Sequence, residues 1–179
     1  MRKKMKLLLT FILTAVLMVS LIGCKKEESG KKPSLELDLT AIIEKIYEKA
    51  DVNLNVANTQ VDLADKDIVK YNMGLEDASK IKEAVVSEAL ISSQAYSLVL
   101  ARVNDAADAK NVANDMLNGI DQRKWICVMA DDLQIVTYDD VVLLVMVASS
   151  MEETVTSQKL VDAFGEICGA DFDEVLSKK

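Results

Sequence analysis

Apolar residues recur along this chain with two periods, and the switch between them divides it into elements. Leu39, Ile42, Ile43, Ile46 and Tyr47 fall three or four residues apart behind Asp38, the pattern of one face of a capped helix running to about Ala50. Residues 51–73 alternate patchily at Val52, Leu54 and Val56 and then turn polar, which predicts a short strand or loop and a short helix near Asp65 to Tyr71. IKEAVVSEAL at 81–90 and AYSLVLARV at 95–103 are rich in β-branched and apolar residues, and the ISSQ between them suits a hairpin connection or a bulged turn. Asp105 then opens a helix whose Ala109, Val112, Ala113, Met116, Leu117 and Ile120 share one stripe, with Gly119 or Asp121 at its end.

The stretch QRKWICVMADDL is ambiguous. Trp125, Ile126, Met129 and Leu133 fit a helix, and the run Trp125 to Met129 fits an extended buried segment equally well. Beyond it the period is clear again: a strand over Gln134 to Tyr138, a tight turn at Asp139 and Asp140, and an apolar strand from Val141 to Ala148. The unbroken apolar character of that strand implies burial on two sides, or a face covered by a helix. Ser150 and Glu153 have the spacing of a capping box for a last helix that buries Val155, Leu160, Val161, Phe164, Ile167 and Cys168 and ends at Gly169. The tail DFDEVLSKK reads as a final short turn or a frayed end.

In order, these elements are α-ββα-ββα. The expected fold is α+β, a two-layer sandwich of an approximately four-stranded, mainly antiparallel sheet with helices on one face. No residue-level repeat accompanies the repeated strand-strand-helix unit.

The first residues carry a different signal. Arg2, Lys3, Lys4 and Lys6 precede a nearly uncharged run from Leu7 to Ile22, the layout of an export leader. That run is 16 residues long, short of the roughly 18–20 that a membrane-spanning helix needs. It ends in Leu21-Ile22-Gly23-Cys24, which resembles the lipobox of bacterial lipoproteins. The resemblance implies cleavage between Gly23 and Cys24, with diacylglycerol on the Cys24 sulfur. Residues 1–23 are then a signal peptide, 24–36 a lipidated N-terminus and polar tether, and 37–179 a single α+β domain. The tether KKEESGKKPS holds the chain's only proline, Pro33, and no apolar residue. A diacyl anchor buries enough methylenes, at about 0.8 kcal/mol each, to hold a protein at the cell membrane, on its extracytoplasmic face.

Charge narrows the partners. Loss of the leader leaves 17 Lys and Arg against 29 Asp and Glu, a net −12, which repels nucleic-acid phosphates and anionic lipid heads. Membrane contact is then expected through the lipid alone, and the remaining partner is an unknown envelope protein or a small ligand.

Catalytic chemistry has little to build on. The chain has no histidine, so the usual base of Ser and Cys nucleophile sites is missing and a His-ligated metal is excluded. A Ser–Lys pairing of Ser92 or Ser93 with Lys80 or Lys82 is formally open, but surface Ser and Lys is the simpler reading. Glu83 and Glu88, five apart on one strand, point to opposite faces and cannot act together without a bulge. The acidic groups at Asp62, Asp65 and Asp67, at Asp131 and Asp132, at Asp139 and Asp140, and at Asp171, Asp173 and Glu174 lack the order of a calcium loop. The six glycines form no phosphate-cradling loop. Neither a cofactor nor a metal is expected. Cys127 and Cys168 sit among apolar residues and read as buried thiols, or as a disulfide if their segments touch. Trp125 reads as half-buried core.

LTAIIEKIYEKAD at 39–51, EAVVSEALISSQAYSLVLARV at 83–103 and RKWICVMADDLQIV at 123–136 resemble stretches of small lipoproteins of Gram-positive anaerobes grouped as domain of unknown function 4358. The resemblance spans most of residues 37–168 and departs from the pattern at the Asp139-Asp140 turn, where glycine is expected. It implies a lipid-anchored α/β domain with no established activity. The functional expectation is therefore a non-enzymatic binding or scaffold domain outside the cytoplasmic membrane. The alternative is an envelope-processing enzyme or inhibitor using carboxylate or Ser–Lys chemistry.

Overall fold

A computed structural model describes residues 34–178; the leader, Cys24 and most of the tether lie outside the described residues. Over the described residues the chain is α+β, with an antiparallel sheet and four α-helices. Helix α1 (Leu39–Ala50) leads to strand β1 (Val56–Gln60) and α2 (Lys66–Met73). The hairpin β2 (Ile81–Ala89) and β3 (Tyr96–Val103) is followed by α3 (Ala109–Gly119). A second hairpin, β4 (Asp132–Tyr138) and β5 (Val141–Val147), then precedes α4 (Ser157–Cys168) and β6 (Glu174–Lys178).

The sheet has six strands, not about four, in the order β1-β2-β3-β5-β4-β6. The two strands beyond the expected four are its edges: β1 lies in the stretch that reads as a short strand or loop outside the expected sheet, and β6 is not expected as a strand. Each is five residues long and largely exposed, so neither carries a sustained apolar alternation of the kind that marks a half-buried strand. The tail expected to turn or fray instead pairs Glu174 to Lys178 with β4. The short helix expected near Asp65 to Tyr71 is α2, and with β1 before it and β6 at the end the order departs from α-ββα-ββα.

Helices also cover both faces of the sheet, so two layers become three. Successive strand residues point to opposite sides. On β2 and β3, Ser87 and Tyr96 meet Tyr47 of α1, whereas their neighbours Glu88 and Ser97 meet Lys124 on the other side. Asp132 and Gln134 of β4 bond the first turn of α4 on the α1 side. Glu174 of β6 reaches Lys110 of α3 at 3.5 Å on the opposite side. Two covered faces explain why β3 and β5 are buried at every residue, as the unbroken apolar run of β5 required.

Local chemistry sets the element ends. Asp38 accepts hydrogen bonds from the Thr40 and Ala41 amides and caps α1. Asp105 caps a short 3₁₀ turn (Ala106–Asp108), and α3 starts after it. The expected Ser150–Glu153 capping box does not form. Ser150 lies in a 3₁₀ turn (Ser149–Met151), and α4 is capped instead by Thr156, whose hydroxyl accepts from the Lys159 amide. The β4–β5 turn tolerates two aspartates because each has a partner: Asp139, left-handed at φ 51°, donates its amide to Asp173, and Asp140 binds Arg102.

Gly74, left-handed after α2, lies against Gly119 at the end of α3 so closely that a Cβ on Gly119 would overlap the Gly74 carbonyl. This contact fixes where the chain leaves α3. Gly119→Ala is expected to cost about 3 kcal/mol, because backbone rather than a pliant side chain fills the space; urea unfolding of the variant measures it. No helix among the described residues is long and apolar enough to cross a membrane.

Candidate functional site: an apolar end held by a buried lysine

The segment after α3 is neither the helix nor the extended segment that its sequence allowed. It is a closed loop. Gln122 and Ala130 pinch its base with two hydrogen bonds, Ala130 N to Gln122 O at 3.0 Å and Gln122 Nε2 to Ala130 O at 2.7 Å. At its tip Cys127 is left-handed at φ 64°; Val128 after it packs against the core, while Ile126 before it turns outward. Ile126 is 84% exposed, and Met129 is exposed beside it. The hairpin between β2 and β3 lies at the same end of the sheet and presents Leu90, 68% exposed, and Ile91. Large apolar side chains left in water on two neighbouring loops are the mark of a contact surface rather than of a core.

Lys124 holds this loop to the sheet. Its side chain is 2% exposed, and Nζ lies 2.7 Å from Glu88 Oε1 and 3.2 Å from Ser97 Oγ. The ammonium also faces two rings, Tyr71 of α2 at 4.6 Å from the centroid and Trp125 at 5.2 Å. Apart from this ion pair Glu88 Oε1, itself shut off from solvent, has no hydrogen-bond partner among the described residues. Burial lowers the Lys124 pKa from its ordinary value, and the Glu88 carboxylate partly opposes that shift. Burial and then the Glu88 charge raise that of Tyr71. One lysine thus ties β2, β3, α2 and the loop together. A recess of about 470 Å³ opens beside it, lined by Asp67, Lys70, Tyr71, Asp121 and Arg123.

The residues singled out for Ser–Lys chemistry are not brought together. Ser92 and Ser93 are exposed at the hairpin tip, while Lys80 and Lys82 sit at the far end of β2, Lys80 paired with Asp108 at 2.8 Å. Glu83 and Glu88 face opposite sides, the first bound to Arg102 and the second to Lys124. The serine that does meet a lysine is Ser97, wholly buried in a central strand. The acidic groups serve the backbone: Asp62 and Asp65 accept amides of their own turns, Asp131 that of Ser149, and Asp132 that of Ser157. No cluster of three potential metal-ligating side chains occurs among the described residues.

The cysteines are not joined, and Cys127, expected to be buried, is exposed because the left-handed turn carries it outward. Cys168 is buried in α4. Trp125 is half-buried against the core. Sequence reasoning passed over Lys124. The one available signal was a lysine abutting the apolar run WICVM, where a cation has to find a partner.

No model of a known protein family, no curated protein and no solved structure matches the chain.

Proposed function

We propose that this protein is a lipid-anchored component of the cell envelope that works by binding another protein through the apolar end formed by Leu90, Ile91, Ile126 and Met129. The observation that carries this reading is the preorganised loop. Ile126 and Met129 stand in water on a loop already fastened by Lys124 and by the Gln122–Ala130 clasp, at the same end of the sheet as the exposed Leu90 and Ile91 of the β2–β3 hairpin. Fixing a loop before binding removes ordering cost from association.

A protein partner fits better than the bilayer itself. The described chain begins near Leu35, whose carbonyl bonds Arg102 at one end of β3, and the apolar loops lie past Tyr96 at the other, about 20 Å away along the strand. The ten Cα-to-Cα steps from Cys24 to Ser34 span at most about 36 Å. That reach exceeds the length of the strand, so the tether leaves the apolar end free to face either way, and it is the net charge of −15 over residues 34–178 that sets the domain against an anionic lipid surface.

The competing reading, an envelope enzyme or inhibitor using Ser–Lys chemistry, has the Lys124–Ser97 hydrogen bond in its favour. Against it stands the burial of Ser97, which gives a substrate no approach.

Two substitutions test the proposal. Cys24→Ala is expected to raise the apparent mass by retaining the leader and to weaken recovery with the membrane; unaltered size and fractionation would sink the anchor. Ile126→Asp removes no buried contact, so its unfolding midpoint should match the parent. The proteins that co-purify with the anchored parent should be lost, and their full retention would overturn the binding surface.

A further inference from the structure

A six-stranded open sheet has two edges, and this one protects only one of them. β6 carries Glu174 and Lys178 at its ends, the charged residues with which proteins discourage edge pairing. β1, VANTQ, has no charge and no proline, and the register shift in β2 falls between Ile81 and Glu83, beyond the stretch that β1 pairs. The ladder fixes which of its groups are spent. Asn55 O accepts from Leu90 N and Val61 N donates to Ala84 O, so Asn55, Ala57, Thr59 and Val61 face β2. The N–H and C=O groups of Val56, Asn58 and Gln60 point the other way, with no backbone partner among the described residues.

We infer that β1 is a strand-addition site for an extended segment of a partner protein carrying Lys or Arg at its ends. The free main-chain groups supply pairing to any extended chain, and charge decides which one. The chain flanking β1 holds Asp51 on one side and Asp62, Asp65 and Asp67 on the other, against Lys66 alone. Residues 34–178 carry 12 Lys and Arg against 27 Asp and Glu, a net −15, so a second copy is repelled and a basic segment attracted. The inference rests on reading the domain as a binding module and adds a second surface to it. Val56 pairs with Ala89, next to the apolar hairpin, so the open edge begins where the apolar end stops.

The test uses the whole protein in detergent and a fluorescein-labelled peptide, Lys-Thr-Val-Thr-Val-Thr-Lys, followed by anisotropy. Saturable binding that weakens with salt is expected, with at least a ten-fold loss when Glu replaces both terminal Lys. Asn58→Pro removes an outward amide and no sheet bond, so binding should fall at least ten-fold at an unchanged unfolding midpoint. A second arm is independent of how that variant folds: N-methylation of one alternate set of peptide amides should abolish binding, and methylation of the other set should leave it. No saturable binding at millimolar peptide, equal binding of the Glu-ended peptide, equal effects of the two methylated sets, or self-association abolished by Asn58→Pro would each overturn the inference. Capture through Ile126 is read separately from membranes, so either surface can fail alone.

Discussion

Arg102→Met is expected to lower the unfolding free energy by about 3–5 kcal/mol, among the largest losses a single substitution can produce here. The guanidinium is 8% exposed and every one of its N–H groups is used. Nε donates to Glu83 at 2.9 Å, Nη1 to both oxygens of Asp140 at 2.8 and 3.0 Å, and Nη2 to the carbonyls of Leu35 and Leu37 at 2.9 and 3.0 Å. One side chain thereby joins the segment leaving the tether, the β2 edge of the hairpin and the β4–β5 turn. Methionine keeps most of the volume but strands two carboxylates beside each other and two carbonyls without donors. Lysine keeps the charge and loses the fork, so Arg102→Lys should fall between parent and Met. Urea unfolding decides: a loss under 1 kcal/mol for the methionine variant would show that the tether's point of attachment is held elsewhere.

Lys124→Met has a second large effect, about 3 kcal/mol, and a different signature. It leaves the buried Oε1 of Glu88 without its cation and removes the ammonium that faces Tyr71 and Trp125. Trp125 is the chain's one tryptophan, so its emission should shift to the red and become easier to quench as the loop loosens. Lys124→Met with Glu88→Gln should recover part of the loss, because the stranded charge goes with it. The pH dependence follows from the lowered Lys124 pKa. Between that value and the unfolded value of about 10.4 the unfolded chain holds more protons than the native one, so this lysine's contribution to stability rises with pH across the window. Tyr47 and Tyr96, both raised by burial, act the other way and cost stability above about pH 10. Tyr47 and Tyr96 lie on the opposite face from Lys124 and cancel between parent and variant, and a Tyr71→Phe background removes the tyrosine that faces the ammonium, so the difference measured there should carry the lysine's slope. A pH-independent difference would contradict the placement of Lys124 as a buried cation.

The central hairpins were legible because their signal is local. β2, β3 and β5 are dense in Val, Leu and Ala, and their ends fell within a residue or two of expectation. α1 followed from a spacing and a cap that no tertiary contact overrides. The edges were legible only in part: the β1 region is open between strand and loop and EVLSK does not read as a strand, since both owe their pairing to neighbours distant in sequence. The number of layers was hidden for a related reason. Periodicity shows which face of a helix is apolar but not which side of the sheet receives it, and the long connection from α3 to β4 carries no handedness signal. At the candidate site, Glu88 was visible and Lys124 was not. Sequence spacing puts them 36 residues apart, and only the closed loop between Gln122 and Ala130 brings the ammonium back over β2.

A photo-crosslinking residue in place of Ile126, activated in membranes with the lipid anchor intact, tests the central claim most directly. A discrete protein adduct is expected in the parent background and should be strongly reduced when Lys124→Met is added, because the loop then no longer holds its side chains in one arrangement. Adducts to lipid alone, or a protein adduct indifferent to Lys124, would contradict an apolar end built and held for a protein partner.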